Sequence, residues 1–138
     1  MPNLDPKIWG YNLWASMIYV AKGYPKREPN YEIKERYEKF YRNLAGVLPC
    51  EKCQVNFVKH ISKLPPDLRD QSSLLIWLHK IHNMTLEDQN KKIIPTTKAF
   101  IEKYTKKNPL RAQNPIMLII VLLGLAMIAY YLYGGRIR

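Results

Sequence analysis

Cys50 and Cys53 are the only cysteines in this 138-residue chain, and they stand three apart in the run Leu48-Pro49-Cys50-Glu51-Lys52-Cys53. Residues i and i+3 share one face of a helix, so the two sulfurs are near enough to close a small ring. At a helix start the pair meets free backbone N–H groups and the positive end of the dipole. Both favour thiolate, the form that attacks disulfides and binds metals. Pro49 supports such a start. The spacing alone leaves three readings open: a redox dithiol, half of a zinc site, or a chance pair. A structural disulfide framework is excluded, because it needs several cysteines at long spacing.

A thioredoxin-type motif follows a strand in a βαβ unit, whereas helical patterning lies on both sides here. A zinc site needs two more ligands. His79 and His82 offer them, and the alternative reading is a zinc-stabilised, membrane-anchored adaptor using Cys50, Cys53, His79 and His82. The gap between the two histidines is shorter than zinc sites ordinarily use. The redox reading needs an electron acceptor. The sequence has no iron–sulfur cysteine set, haem signature or glycine-rich dinucleotide loop. A flavin would have to sit within helices, held by aromatics and amides.

The elements that must position these groups read as helices throughout. Pro6 opens the first, and Ile8, Trp9, Leu13, Trp14, Met17, Ile18 and Ala21 recur at spacings of three and four until Gly23-Tyr24-Pro25. A second runs from about Tyr31 to Leu48 and is broken by Pro49. A third spans Pro49-Cys50 to about Leu64, before Pro65-Pro66. A fourth covers about Ser72 to Asn90 behind the cap region Asp70-Gln71-Ser72-Ser73. Pro95-Thr96-Thr97 opens a short fifth that reaches about Lys107. No period-two run of strand length stands out, so the fold class is an all-α bundle. The expected divisions are a domain over residues 1–107, a linker over 108–114, an anchor over 115–133 and a short basic tail over 134–138.

The anchor is the run Ile116 to Tyr133, which carries no charged residue. Eighteen helical residues rise about 27 Å, close to the hydrocarbon thickness of a bilayer. Tyr130, Tyr131 and Tyr133 gather at one end, as aromatic rings do at a membrane interface. Met1 to Gly10 lacks the apolar core of a signal peptide. The expectation is therefore a single-pass, tail-anchored protein. Lys103, Lys106, Lys107 and Arg111 on one flank, against Arg136 and Arg138 on the other, keep the large domain on the cytosolic side.

Formal net charge is +11. With Arg111, Arg136 and Arg138 set aside, and no acid beyond residue 110, the remainder carries +8. The Tyr31–Arg42 stretch interleaves acids with bases and reads as a solvated face. The cluster from Lys98 to Lys107 adjoins the expected membrane, where anionic lipid explains it. No nucleic-acid partner is expected.

The motifs taken together resemble a known family. Trp14 followed by Tyr24-Pro25, then Leu48 to Cys53 with Phe57, then Trp77-Leu78 and His82-Asn83, are similar in order and spacing to the Erv/ALR family of FAD-linked sulfhydryl oxidases over roughly residues 6–100. The opening Asp5 to Trp14 (DPKIWGYNLW) resembles virus-encoded members. The resemblance implies a four-helix bundle with a short fifth helix, non-covalent FAD, and a homodimer. It implies a thiol oxidase that forms disulfides in a dithiol (CxxC) partner, such as a thioredoxin-like protein, and passes electrons to O2 to give H2O2. By position, Cys53 resembles the flavin-proximal cysteine and Cys50 the outer one that exchanges with substrate. Trp14, Trp77, His82 and Asn83 resemble cofactor-packing residues, and Lys91, or Lys92 in its place, a basic residue near the pyrophosphate. Three departures stand out: Ile18 occupies a common histidine position, Leu86 replaces the second asparagine of the usual HNxVN run, and no shuttle cysteine pair exists. With no second pair, the chain must oxidise its partner directly through Cys50. A viral setting places it in the host cytoplasm or a virion membrane, facing the cytosol.

Overall fold

The computed structural model describes residues 3–106 and the helical residues 115–134, with side chains described over most of that last stretch. The described residues form six helices and no strand: α1 (Pro6–Lys22), α2 (Tyr31–Gly46), α3 (Glu51–Lys63), α4 (Gln71–Glu87), α5 (Thr97–Thr105) and α6 (Pro115–Gly134). The chain divides into two compact units, Met1–Thr105 and Lys106–Arg138. The expected linker, and the expected tail beyond Gly134, with Lys107, Arg111, Arg136 and Arg138, lie outside the described residues.

Local chemistry accounts for the helix starts. Asp5 caps α1, its carboxylate accepting from the Lys7 N–H at 2.9 Å, with Pro6 as the first helical residue. Asn30 caps α2 through the Ile33 N–H, and Asp70 caps α4 through the Ser73 N–H at 2.8 Å. Three i,i+4 pairs, Glu32–Arg36, Glu35–Lys39 and Glu38–Arg42, line the solvated face of α2. α2 ends at Gly46 rather than Leu48, because the chain must turn to deliver Pro49-Cys50 to the start of α3.

The end of α4 is also earlier than its pattern suggests. The Lys91 N–H donates to the Leu86 carbonyl and the Asn90 N–H to that of Glu87, both at 2.9 Å. Asn90 takes the left-handed conformation, with φ 52°. These are the two bonds and the C′ residue of a Schellman turn, and asparagine tolerates that conformation better than most side chains.

α4 is the hub of the first unit. It packs on α1, α3 and α5, while α1 also meets α5 and α2 meets α3. Met17, Ile18, Ala21, Tyr41, Leu74, Leu78, Ile81 and Phe100 are almost fully removed from water at its centre. The buried tyrosines satisfy their hydroxyls on distant backbone. Tyr41 donates to the Met17 carbonyl at 3.1 Å and Tyr24 to that of Leu68 at 2.9 Å. Burial pushes the Tyr41 phenol well above its ordinary value. Ile18, at the common histidine position, is a core residue with no exposure.

The second unit contains α6, on which Ile119 to Leu123, Leu125, Met127, Ile128 and Tyr130 to Leu132 are all exposed. Over the described residues no helix is long and apolar enough to cross a membrane. The side chains of residues 115–118, 129, 133 and 134 lie outside that description, and with them both ends of the expected anchor.

Candidate active site

Cys50 and Cys53 form a disulfide, their Cα atoms 5.1 Å apart. Cys50 is the N-cap of α3, and its sulfur accepts from the Cys53 backbone N–H at 3.2 Å. The helix therefore begins at the redox pair itself. Any charge on the Cys50 sulfur meets a peptide donor and the positive end of α3. Cys50 is buried, at 8% exposure. Beside it the Leu4 N–H donates to the Pro49 carbonyl at 2.8 Å, so residues 3–5 lie along the segment that enters the disulfide.

Both cysteines line a cavity of about 840 Å³ whose walls come from α1, α3, α4, α5 and residues 3–5. Trp14 and Phe57 stand on its wall with ring centroids 6.2 Å apart, and Trp14 meets the edge of His82 at 4.7 Å. Phe57 follows Cys53 by four residues, one helical turn, so the disulfide and the aromatic floor share a face of α3.

His82 is 2% exposed. Its Nε2 lies 2.7 Å from the Tyr104 hydroxyl, and its Nδ1 has no hydrogen-bond partner. Burial, aided by the Lys103 cation, pulls the imidazole down to about 4, so it is neutral at neutral pH. Burial likewise pushes the Tyr104 phenol up to about 12, leaving it a neutral donor or acceptor. An orphaned buried nitrogen beside a cavity is costly unless a ligand atom meets it.

The structure brings Cys50, Cys53, Trp14, His82 and Lys91 to one cavity and leaves Trp77, Asn83 and Lys92 off its wall. Trp77 is buried against Tyr41, and its indole N–H donates to the Leu64 carbonyl at 2.8 Å. Asn83 is consumed by the loop between α4 and α5. Its amide donates to the Ile94 carbonyl at 2.9 Å and its oxygen accepts from the Ile94 N–H at 3.0 Å. Its Nδ2 also lies 3.1 Å from His79. Lys92 is exposed and does not line the cavity. Leu86, at the second-asparagine position, does stand on the wall.

Sequence reading missed Tyr104 and Lys103, which α5 carries to the cavity by packing on α1. The available signal was the i,i+4 pair Phe100–Tyr104, whose rings lie 5.5 Å apart. Lys103 thus belongs to this wall as well as to the basic run before α6.

The histidines do not join the cysteines as ligands. Both ring nitrogens of His79 are engaged, Nδ1 with Thr97 at 3.1 Å and Nε2 with the Ile94 carbonyl at 2.8 Å. Among the described residues no group of three or more His, Cys, Asp or Glu is placed to hold a metal ion.

The family model described as "Erv1 / Alr family" matches residues 11–106. A "probable FAD-linked sulfhydryl oxidase" of Acanthamoeba polyphaga mimivirus is 35% identical over 105 residues, covering 72% of this chain and 73% of that protein. A "putative FAD-linked sulfhydryl oxidase" of Invertebrate iridescent virus 6 is 32% identical over 71 residues, 49% of this chain and 63% of its own length. Among solved structures, the yeast Erv1 core superimposes with a TM-score of 0.67 at 20% identity, over 78% of this chain and 90% of that one. The FAD-binding domain of Erv1 from Saccharomyces cerevisiae gives 0.66 at 22% identity, over 74% and 95%. At that identity the likeness is one of fold.

Proposed function

The chain belongs to the Erv1 / Alr family, and on that premise we propose that it is an FAD-dependent sulfhydryl oxidase that makes disulfide bonds in partner proteins, with O2 as final acceptor and H2O2 as product. The observation that carries this reading is a Cys50–Cys53 disulfide set into the wall of a cavity that also holds Trp14 and the unpartnered nitrogen of His82.

The residues present fit FAD. The cavity has room for a ligand of that class and an aromatic wall of Trp14, Phe57 and Tyr104. The orphaned His82 Nδ1 supplies a polar contact, and Lys7, Lys91 and Lys103 supply cations for a diphosphate. Bound there, FAD supplies the two-electron acceptor that the dithiol needs and the route from it to dioxygen.

The chain's own residues carry the exchange. A partner thiolate attacks the Cys50 sulfur, the Cys50–Cys53 bond breaks, and Cys53 leaves as thiolate. A second partner thiol, once deprotonated, attacks the partner sulfur of the mixed disulfide and releases Cys50. The partner gains a disulfide, and Cys50 and Cys53 are left as a dithiol holding two electrons. The Cys53 N–H and the start of α3 stabilise charge on Cys50 as it departs. Trp14, Phe57 and the neutral pair His82–Tyr104 keep the inner side of the disulfide out of water. With no other cysteine in the chain, the partner must reach Cys50 itself, past residues 3–5.

Zinc binding by Cys50, Cys53, His79 and His82 is disfavoured, since both sulfurs are spent in the disulfide and His79 is spent on the loop. A homodimer is proposed with the family, and the exposed Ile8 and Tyr19 on one side of α1 are available to it. The uncharged sequence run Ile116 to Tyr133 is what favours a membrane anchor, and the flanking bases favour the oxidase unit on the cytosolic side of a host or virion membrane. The deciding experiment is FAD content together with oxygen uptake on addition of a dithiol to the purified chain. Yellow protein with dithiol-dependent uptake supports the oxidase; colourless protein with stoichiometric zinc would replace it with the adaptor.

A further inference from the structure

His60 is buried on α3, at 3% exposure, two turns beyond Cys53 and on the same side as Phe57. Disulfide exchange gives it no task. Its Nε2 lies 2.9 Å from Oδ2 of Asp88, the residue that closes α4, and neither ring nitrogen meets a well-directed hydrogen-bond acceptor. A buried imidazole held so close to one carboxylate calls for a reason.

The reason lies in the charges on the cavity wall. Four lysines stand there, Lys7, Lys52, Lys91 and Lys103, against two carboxylates, Asp5 and Asp88. Asp5 is occupied as the cap of α1. Asp88 opens the turn that delivers Lys91, whose Nζ is fixed by the Gln89 side chain at 2.6 Å. Left free, the Asp88 carboxylate would compete for the Lys91 ammonium and repel an anionic ligand. His60 meets Asp88 from α3, its Nε2 within 2.9 Å of the carboxylate.

We infer that His60 is a positioning residue that engages Asp88 and so keeps Lys91 available to the diphosphate of the cofactor. The inference rests on the FAD reading above. It also ties the helix that carries the disulfide to the turn that carries the cation, so one contact, from a buried imidazole to a partly exposed carboxylate, sets both parts of the site.

The test is FAD affinity, measured by quenching of flavin fluorescence on titrating apoprotein. His60→Gln weakens binding about fivefold or more, a loss that shrinks at high salt. Adding Asp88→Asn to that variant restores affinity to within about twofold of wild type, because the carboxylate that needed holding is gone. A purely structural role for His60 gives a loss that Asp88→Asn does not repair, and that result overturns the inference. Asp88→Asn alone, at a partly exposed helix end, keeps the question open to refutation even where His60→Gln does not fold. It binds FAD as tightly as wild type or more tightly, and weaker binding contradicts the proposal. Wild-type protein that binds no FAD sinks the cofactor reading itself, and this inference with it.

Discussion

The backbone N–H of Cys53 donates to the sulfur of Cys50 across 3.2 Å, so the two redox residues are also cap and first turn of α3. Serine is a good N-cap, and Cys50→Ser should change stability by only a few tenths of a kcal/mol beyond loss of the disulfide. It should nonetheless end oxidation of partner dithiols. Cys53→Ser should also abolish turnover and leave the protein yellow. Retained oxygen uptake in either variant would refute the assigned exchange.

His82 gives the domain a defined pH response. Its folded value of about 4 lies below the ordinary 6.5, so the unfolded chain takes up the proton first as pH falls. The associated stability is complete above about 6.5 and is lost between there and about 4. The shift corresponds to roughly 3 kcal/mol. The melting temperature of wild type should fall relative to that of His82→Phe as pH drops through that window; parallel curves would show that His82 is not held neutral.

Asn83 carries three contacts that fix Ile94 and His79. Asn83→Ala leaves the Ile94 N–H and carbonyl without that partner and should cost about 1–3 kcal/mol in denaturant unfolding. Flavin content at saturating FAD should hold, because the amide serves the loop rather than the cavity.

Trp77 offers the opposite separation. Its ring packs on Tyr41 and its N–H closes the Leu64 carbonyl, away from the cavity wall. Trp77→Phe should lower stability by about 1–3 kcal/mol through the lost hydrogen bond and volume, and leave FAD affinity within about twofold. Trp14→Phe should do the reverse, weakening FAD with a smaller effect on folding. Equal loss of flavin in both would return Trp77 to the site.

The helices were legible because their signals are local. Pro6 and Asp70 mark starts that the structure uses as first residue and cap, and apolar spacing marks the buried faces. The ends of α2 and α4 were less so, since the turn at Asn90 depends on a left-handed backbone that asparagine permits without announcing. Within the site, Cys50, Cys53, Trp14 and His82 were readable as a motif. Trp77 and Asn83 belong to the same motif, yet here packing spends them on the bundle and on Ile94. Tyr104 and His60 stayed hidden for a different reason. Each acts through a partner more than twenty residues away, Tyr104 on His82 and His60 on Asp88, and only the folded bundle brings those pairs together.

The central claim is that Cys50 and Cys53 exchange electrons with a flavin in the shared cavity. Its most direct test is the visible spectrum of the purified protein during anaerobic titration with a small dithiol. Wild type should bleach its flavin band stoichiometrically and recover it on admission of air, while Cys53→Ser should stay yellow throughout. A wild-type chain that shows no flavin band, or a Cys53→Ser variant that bleaches as fast as wild type, would contradict the account.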